Sequence, residues 1–243
     1  MTNYYNGRIC LNVLAGSKEN AKEVYQAAEK NALVGVLSIN YPTTEAAVED
    51  MKDYMEILEG NLSVGLGAGN PKQCLVVGDI AKDIKANHFN QVFTSVAYTR
   101  ANVGNNESLI NCLVSPTGRP GYVKISTGPL SSQAEEPAIV SIDTAAKMCK
   151  DMGGTSLKFF PMKGLSCKEE LVEVAKSCAK NDLIIEPTGG IDLENFKEIC
   201  EICIAAGVNK MIPHVYSSII DSETGNTRPE DVKTLMDIVK SLV

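Results

Sequence analysis

Lys158 is the side chain in this sequence best placed to do covalent chemistry. It sits in Thr155-Ser-Leu-Lys-Phe-Phe-Pro-Met162, a short run whose small and apolar neighbours describe a buried strand. Pro161 ends the run, as proline does where a sheet ladder finishes. Burial disfavours an ammonium and favours the free amine. A neutral lysine amine attacks carbonyl carbon and forms Schiff bases. A lysine near a strand end can also extend its charge to water while its stem stays packed. Lys124, in Tyr122-Val-Lys-Ile-Ser-Thr-Gly128, is its rival. Facing the same interior, it would lower the pKa of Lys158, bind a carboxylate, or be the nucleophile itself; facing outward between helices, it would do none of these.

Glu186 precedes a glycine turn, Thr188-Gly-Gly190. Its carboxylate could be a general acid/base or a salt-bridge partner of Lys158 or Lys124. His214 could be a second base or a hydrogen-bonded core residue, and His88, at a helix end, reads as surface. Gly189 and Gly190 lack Cβ atoms, so backbone N–H groups there could reach an oxyanion, helped by the helix that follows; the plain alternative is an unliganded turn. Gly67 and Gly69, in Gly65-Leu-Gly-Ala-Gly69, allow close approach of a substrate or of another backbone. No His, Asp or Glu cluster has metal spacing, and Cys200-Glu-Ile-Cys203 lies within one helical pattern without a second pair. No metal or cofactor is expected.

These residues need elements to bring them together. Apolar runs at 8–14, 34–40, 62–66, 89–96, 122–127, 155–160, 183–186 and 210–215 alternate with helical patterns. That alternation predicts a parallel sheet, and eight strands predict a (β/α)8 TIM barrel in one domain spanning 1–243. No Gly-x-Gly-x-x-Gly follows the first strand to suggest a dinucleotide fold. An irregular insert at about 98–121 interrupts the pattern: a helix is missing, and Leu109 to Val114 reads as an extra strand. Barrel chemistry gathers at the C-terminal strand ends. Those ends are Asn12, Asn40, Gly67 with Gly69, Thr94 and Ser95, Lys124 with Ser126, Lys158, Glu186 with Thr188, and His214 with Ser217.

With 243 residues, 44% of them hydrophobic, the chain can bury a full core without staples. The net charge of −7 argues against nucleic-acid and anionic-membrane surfaces. No apolar run reaches membrane length, and the eight cysteines, without a secretory signal, read as reduced thiols of a cytoplasmic protein. A small-molecule partner and a homo-oligomer are expected.

Three motifs carry a family likeness. Leu157-Lys-Phe-Phe-Pro161 resembles the Schiff-base strand of the 2-keto-3-deoxy-6-phosphogluconate aldolases, Glu186-Pro-Thr-Gly-Gly-Ile191 their phosphate loop, and Gly67-Ala-Gly69 their turn after strand three. All three occur in the family's order. The insert around Ser115-Pro-Thr-Gly118 and the run Ile125-Ser-Thr-Gly-Pro129 bring the whole chain nearer the KDGP aldolase branch linked to D-glucosaminate breakdown. The resemblance implies a class I aldolase: Lys158 as nucleophile, Thr188, Gly189 and Gly190 on phosphate, pyruvate and glyceraldehyde 3-phosphate as products, and no metal. One departure stands out. The family's strand-two Glu, and the Arg four residues after it, are absent from Val34-Gly-Val-Leu-Ser-Ile-Asn40. Glu186 or His214 would have to replace the base, and Lys124 or Arg8 the carboxylate binder. An aldolase for unphosphorylated 4-hydroxy-2-oxoglutarate-type substrates and a non-catalytic sugar-phosphate-binding barrel are the alternatives.

Overall fold

Most of the parallel strands are short apolar runs that carry one or two polar residues, and all but Leu109–Ser115 lead into a helix before the next strand. The computed structural model describes residues 1–243. Its strands are β1 (Leu11–Leu14), β2 (Ala32–Leu37), β3 (Leu62–Gly65), β4 (His88–Phe89), β5 (Leu109–Ser115), β6 (Tyr122–Ile125), β7 (Ile139–Ser141), β8 (Ser156–Phe159) and β9 (Ile184–Pro187). The helices are α1 (Lys18–Ala27), α2 (Thr44–Ile57), α3 (Cys74–Ile80), α4 (Val96–Val103), α5 (Ile142–Asp151), α6 (Lys168–Lys180), α7 (Phe196–Ala205) and α8 (Pro229–Leu242). Ser17 and Thr43 cap α1 and α2 by accepting from the N–H of Asn20 and Ala46, contacts worth about 1 kcal/mol each. No helix is long and apolar enough to cross a membrane.

The result is a curled, mostly parallel sheet. β1, β2, β3, β4 and β5 pair in sequence order, and β8 then joins β5 to β9. Residues 211–214 lie between β9 and β1. Met211 and His214 bridge in parallel to Ile185 and Thr188 on one side and to Ile9 and Asn12 on the other. Pro213 has no N–H to donate, which leaves isolated bridges there in place of a regular strand.

Three sequence expectations need correction. The run Leu109 to Val114 is the fifth parallel strand, pairing β4 on one edge and β8 on the other. The extra element is β6, which runs antiparallel to β5 and pairs with β7 in an excursion outside the curl. Its pattern alternates buried Val123 and Ile125 with exposed Lys124, as expected of a sheet with one wet face. The helix missing after strand four is α4, inside the insert. It buries only Val96, Thr99 and Val103, and with a threonine as middle contact its amphipathic signal is weak. The second strand stops at Leu37, so Asn40 falls in an exposed 3-10 turn.

Candidate active site

The polar residues that interrupt the strands meet in one buried network. Glu186 on β9 is fully buried at its centre. One carboxylate oxygen accepts from Ser156 Oγ and faces His88 Nε2 at 3.1 Å; the other accepts from Asn111 Nδ2 at 2.7 Å and faces His214 Nε2 at 2.8 Å. Burial alone would raise Glu186, but the two imidazoles and their hydrogen bonds hold it well below the usual carboxylate range. Asn111 gives its other amide hydrogen to Asn90 Oδ1 at 2.8 Å, and the same oxygen accepts from Lys158 Nζ at 2.9 Å. A second branch runs from His214 Nδ1 to Tyr216 Oη at 2.8 Å and on to Asn12 Oδ1 at 2.9 Å.

Above the network opens a cavity of about 640 Å³ whose walls include Lys158, Tyr216, His214 and the two glycine turns. Lys158 makes no ion pair: although it stands opposite Glu186 in the β8–β9 register, the carboxylate is occupied by its four partners. Burial lowers the Lys158 ammonium to about 8, and the negative charge of Glu186 opposes that shift only in part. The amine is therefore partly neutral near physiological pH, hydrogen-bonded to a neutral amide, and 6.0 Å from the Tyr216 ring centre. Burial, followed by the charge of Lys158, pushes His214 down to about 3, against the pull of Glu186.

Backbone geometry builds both ends of the cavity. Gly67, Ala68 and Gly69 have φ of 78°, 46° and 72°, three left-handed residues in a row. Successive N–H groups in such a turn make an anion-binding concavity. At the other end Gly189 and Gly190 have φ of 100° and 71°. Their glycines answer first to packing: a Cβ on Gly190 would lie 2.5 Å from the Gly164 nitrogen, and one on Gly189 would lie 3.2 Å from that of Met162. The N–H groups of Gly189, Gly190 and Ser217 donate to no protein atom. Lys163, an exposed cation without an ion-pair partner, lines the same end.

A family model described as KDGP aldolase matches residues 5–223. The chain belongs to the KDGP aldolase family. It is 48% identical over 245 residues, 99% of this chain and 98% of the other, to a 2-dehydro-3-deoxy-phosphogluconate aldolase of Salmonella typhimurium. Among solved structures, a thiamine phosphate pyrophosphorylase from Pyrococcus furiosus superposes with a TM-score of 0.59 at 13% identity, covering 97% of this chain and 96% of that one. A mutant tryptophan synthase α-subunit from Pyrococcus furiosus gives 0.56 at 14% identity, covering 97% of each chain. At such identities these two likenesses concern the fold alone. Membership in an aldolase family sets aside the non-catalytic barrel.

In this KDGP aldolase family member the structure brings together Lys158, His214, Thr188, Gly189, Gly190, Gly67 and Gly69 at one cavity. Glu186 lies beneath the floor, saturated by donors. Four residues expected at the mouth are elsewhere. Lys124 and Ser126 line a separate pocket of about 260 Å³ beside the β6–β7 excursion, because β6 is not part of the parallel curl. Asn40 lies past the end of β2. Arg8 precedes β1 at the opposite end of the sheet and donates to the Val208 carbonyl at 2.9 Å.

The sequence reading missed Ser63, His88, Asn90, Asn111, Ser156 and Tyr216. His88 is fully buried, contrary to a surface placement. One signal could have found most of them: a lone polar residue in an apolar strand, as in Leu62-Ser-Val64 or Ile110-Asn-Cys112, is costly to bury unless paired. Tyr216 stands two residues after His214, the spacing that returns to one face of an extended chain. His88, Glu186 and His214 offer three potential metal-ligating atoms within 4.8 Å of one another, a proximity no sequence spacing announces. Both imidazole Nε2 atoms already engage the carboxylate, so the trio is a hydrogen-bonded unit.

Proposed function

We propose that this protein cleaves 2-dehydro-3-deoxy-6-phosphogluconate to pyruvate and glyceraldehyde 3-phosphate through an imine at Lys158. The observation that carries the reading is a lysine amine without an ion-pair partner, lowered to about 8, in a largely apolar cavity that two glycine turns also line. The amine attacks the C2 keto carbon to give a carbinolamine, which takes up one proton from solvent and loses water to leave an iminium. The iminium draws in the C3–C4 bonding electrons, the aldehyde leaves, and the resulting enamine is protonated and hydrolysed to pyruvate. The Gly67–Gly69 turn is read as the carboxylate site, in place of an arginine, and the Gly189–Gly190 turn with Ser217 N–H and Lys163 as the phosphate site. The curled sheet is read as a closed (β/α)8 barrel with 211–214 as its eighth staff, supported by the bridges of that segment to both neighbours. Eight free thiols, seven of them buried, fit a cytoplasmic setting. A homo-oligomer would form on surfaces such as exposed Leu130 and Ile139.

Borohydride reduction in the presence of pyruvate, followed by peptide mass mapping, tests the mechanism. The expected adduct is on Lys158. An adduct on Lys124 instead, or none at all, overturns it.

The pH profile has a defined sign. Only the neutral amine attacks, and the ammonium titrates at about 8, so kcat/KM should rise about tenfold per pH unit below that value and level off above it. A rising limb centred near the ordinary lysine value would contradict the burial of the amine.

The phosphate end is separable from the chemistry. Lys163→Ala should raise KM for the phosphorylated substrate roughly tenfold, the value of one charge-assisted hydrogen bond, and leave pyruvate trapping unchanged. Equal kcat/KM for phosphorylated and unphosphorylated 2-keto-3-deoxy acids in the unaltered protein would remove the phosphate site from the reading.

A further inference from the structure

Cleavage at an imine needs a group to take the C4 hydroxyl proton and a group to return a proton to C3. No carboxylate lines the cavity, and its titratable side chains are Lys158, Lys163, His214 and Tyr216. Resting on the imine reading, which commits Lys158 to the substrate and Lys163 to its phosphate, we propose that Tyr216 is the acid–base residue, with His214 as its proton store and Glu186 as the counter-charge.

Proton counting in the network supports the assignment. Ser63 Oγ accepts from Asn12 Nδ2 at 3.2 Å and from Asn90 Nδ2 at 3.1 Å, so its own hydrogen goes to His88 Nδ1 at 2.7 Å. His88 therefore carries its hydrogen on Nε2 and donates it to Glu186. Asn12, with its amide nitrogen turned to Ser63, presents Oδ1 to Tyr216, where it can only accept. Tyr216 Oη thus faces two acceptors, Asn12 Oδ1 and His214 Nδ1, with one hydrogen to give. At rest that hydrogen goes to His214 Nδ1, while His214 Nε2–H donates to the Glu186 carboxylate. Every contact is satisfied except Asn12 Oδ1. Adding one proton fills this gap: His214 Nδ1–H donates to Tyr216 Oη, Tyr216 O–H donates to Asn12 Oδ1, and the imidazolium rests on Glu186. The network is complete only when loaded with one extra proton, and Tyr216 lines the cavity with its ring centre 6.0 Å from the Lys158 amine.

The steps balance. As the C3–C4 electrons move into the iminium they cancel the positive charge at Lys158 that opposes protonation of His214, so the C4 hydroxyl proton passes to Tyr216 Oη and the tyrosine's own hydrogen passes to His214 Nδ1 beside the Glu186 carboxylate. The substrate C4–O becomes the aldehyde carbonyl, and no phenolate forms, in keeping with a Tyr216 pKa raised by burial and by the negative Glu186. Tyr216 then protonates C3 of the enamine while His214 Nδ1–H restores the hydroxyl. Water hydrolyses the iminium and frees Lys158.

Pyruvate methyl exchange in D2O isolates the proton transfers, because it requires removal and return of a C3 proton on the imine. Tyr216→Phe and His214→Gln should each slow exchange and aldol cleavage roughly 10² to 10⁴-fold. Both, if folded by circular dichroism, should keep the wild-type yield of borohydride trapping at Lys158. Exchange within threefold of wild type in Tyr216→Phe overturns the proposal. So does loss of trapping in parallel with exchange in folded variants, which would place the pair in imine formation. A wild-type chain that exchanges but is not trapped at Lys158 overturns the imine reading alone, and one that does neither overturns both.

Discussion

Replacing Lys158 by methionine is expected to abolish activity and stabilise the fold at the same time. In the proposed mechanism the amine forms the imine that serves as electron sink, so kcat should fall by about 10⁴-fold or more, the scale seen when a covalent nucleophile is deleted. The stability gain comes from the same burial that activates the amine. A shift from 10.5 to about 8 corresponds to roughly 3 kcal/mol of penalty on the charged form. Because the ammonium is more acidic in the fold than in the unfolded chain, this penalty is complete below about pH 8 and fades as the pH rises toward 10.5. Methionine fills similar volume without charge, and loss of the contact to Asn90 returns about 1 kcal/mol. A net gain of about 2 kcal/mol at pH 7, or roughly 4–8 °C in Tm, should appear in a thermal melt and shrink at pH 10. A variant that is inactive but less stable than the parent would mean that the side chain is a structural support.

Glu186→Ala is expected to have the opposite signature. Four donors converge on this carboxylate in a region without solvent, and alanine would strand all of them. Breaking such a buried hydrogen-bonded cluster costs about 5 kcal/mol, a large part of a typical folding free energy. Denaturant titration should show the midpoint collapsing, with loss of soluble expression as the extreme case. The depressed pKa adds a pH dependence of fixed sign. The stabilisation from Glu186 is present above the ordinary carboxylate range and is lost as the pH falls below it, through the folded-state value. Acid unfolding of the parent chain should therefore be steep below about pH 4, and a Glu186→Gln variant, which cannot ionise, should show a flatter profile there.

The positions of the misread elements explain what a one-dimensional pattern can carry. β2, β3 and β8 were legible because burial on both faces leaves a mostly apolar signature bounded by turn residues. The fourth and fifth were not. β4 is two residues long, and β5 resembles the β6 run that follows it; only pairing decides which of the two enters the parallel curl. That single ambiguity carried Lys124 and Ser126 into the expected site and left Asn111 out.

The amino-acid order alone determined the alternation of strands and helices, the lysine within a buried strand, the two glycine turns and the likeness to an aldolase family. Each of these is written in local composition: burial of a short segment, absence of Cβ atoms, motif order. The tertiary structure decided which polar groups share the space beneath the lysine. Asn12, Ser63, His88, Asn90, Asn111, Glu186, His214 and Tyr216 come from six separate segments, and a hydrogen bond acts only over a few ångströms. No spacing in the chain encodes that convergence; it follows from the curl of the sheet.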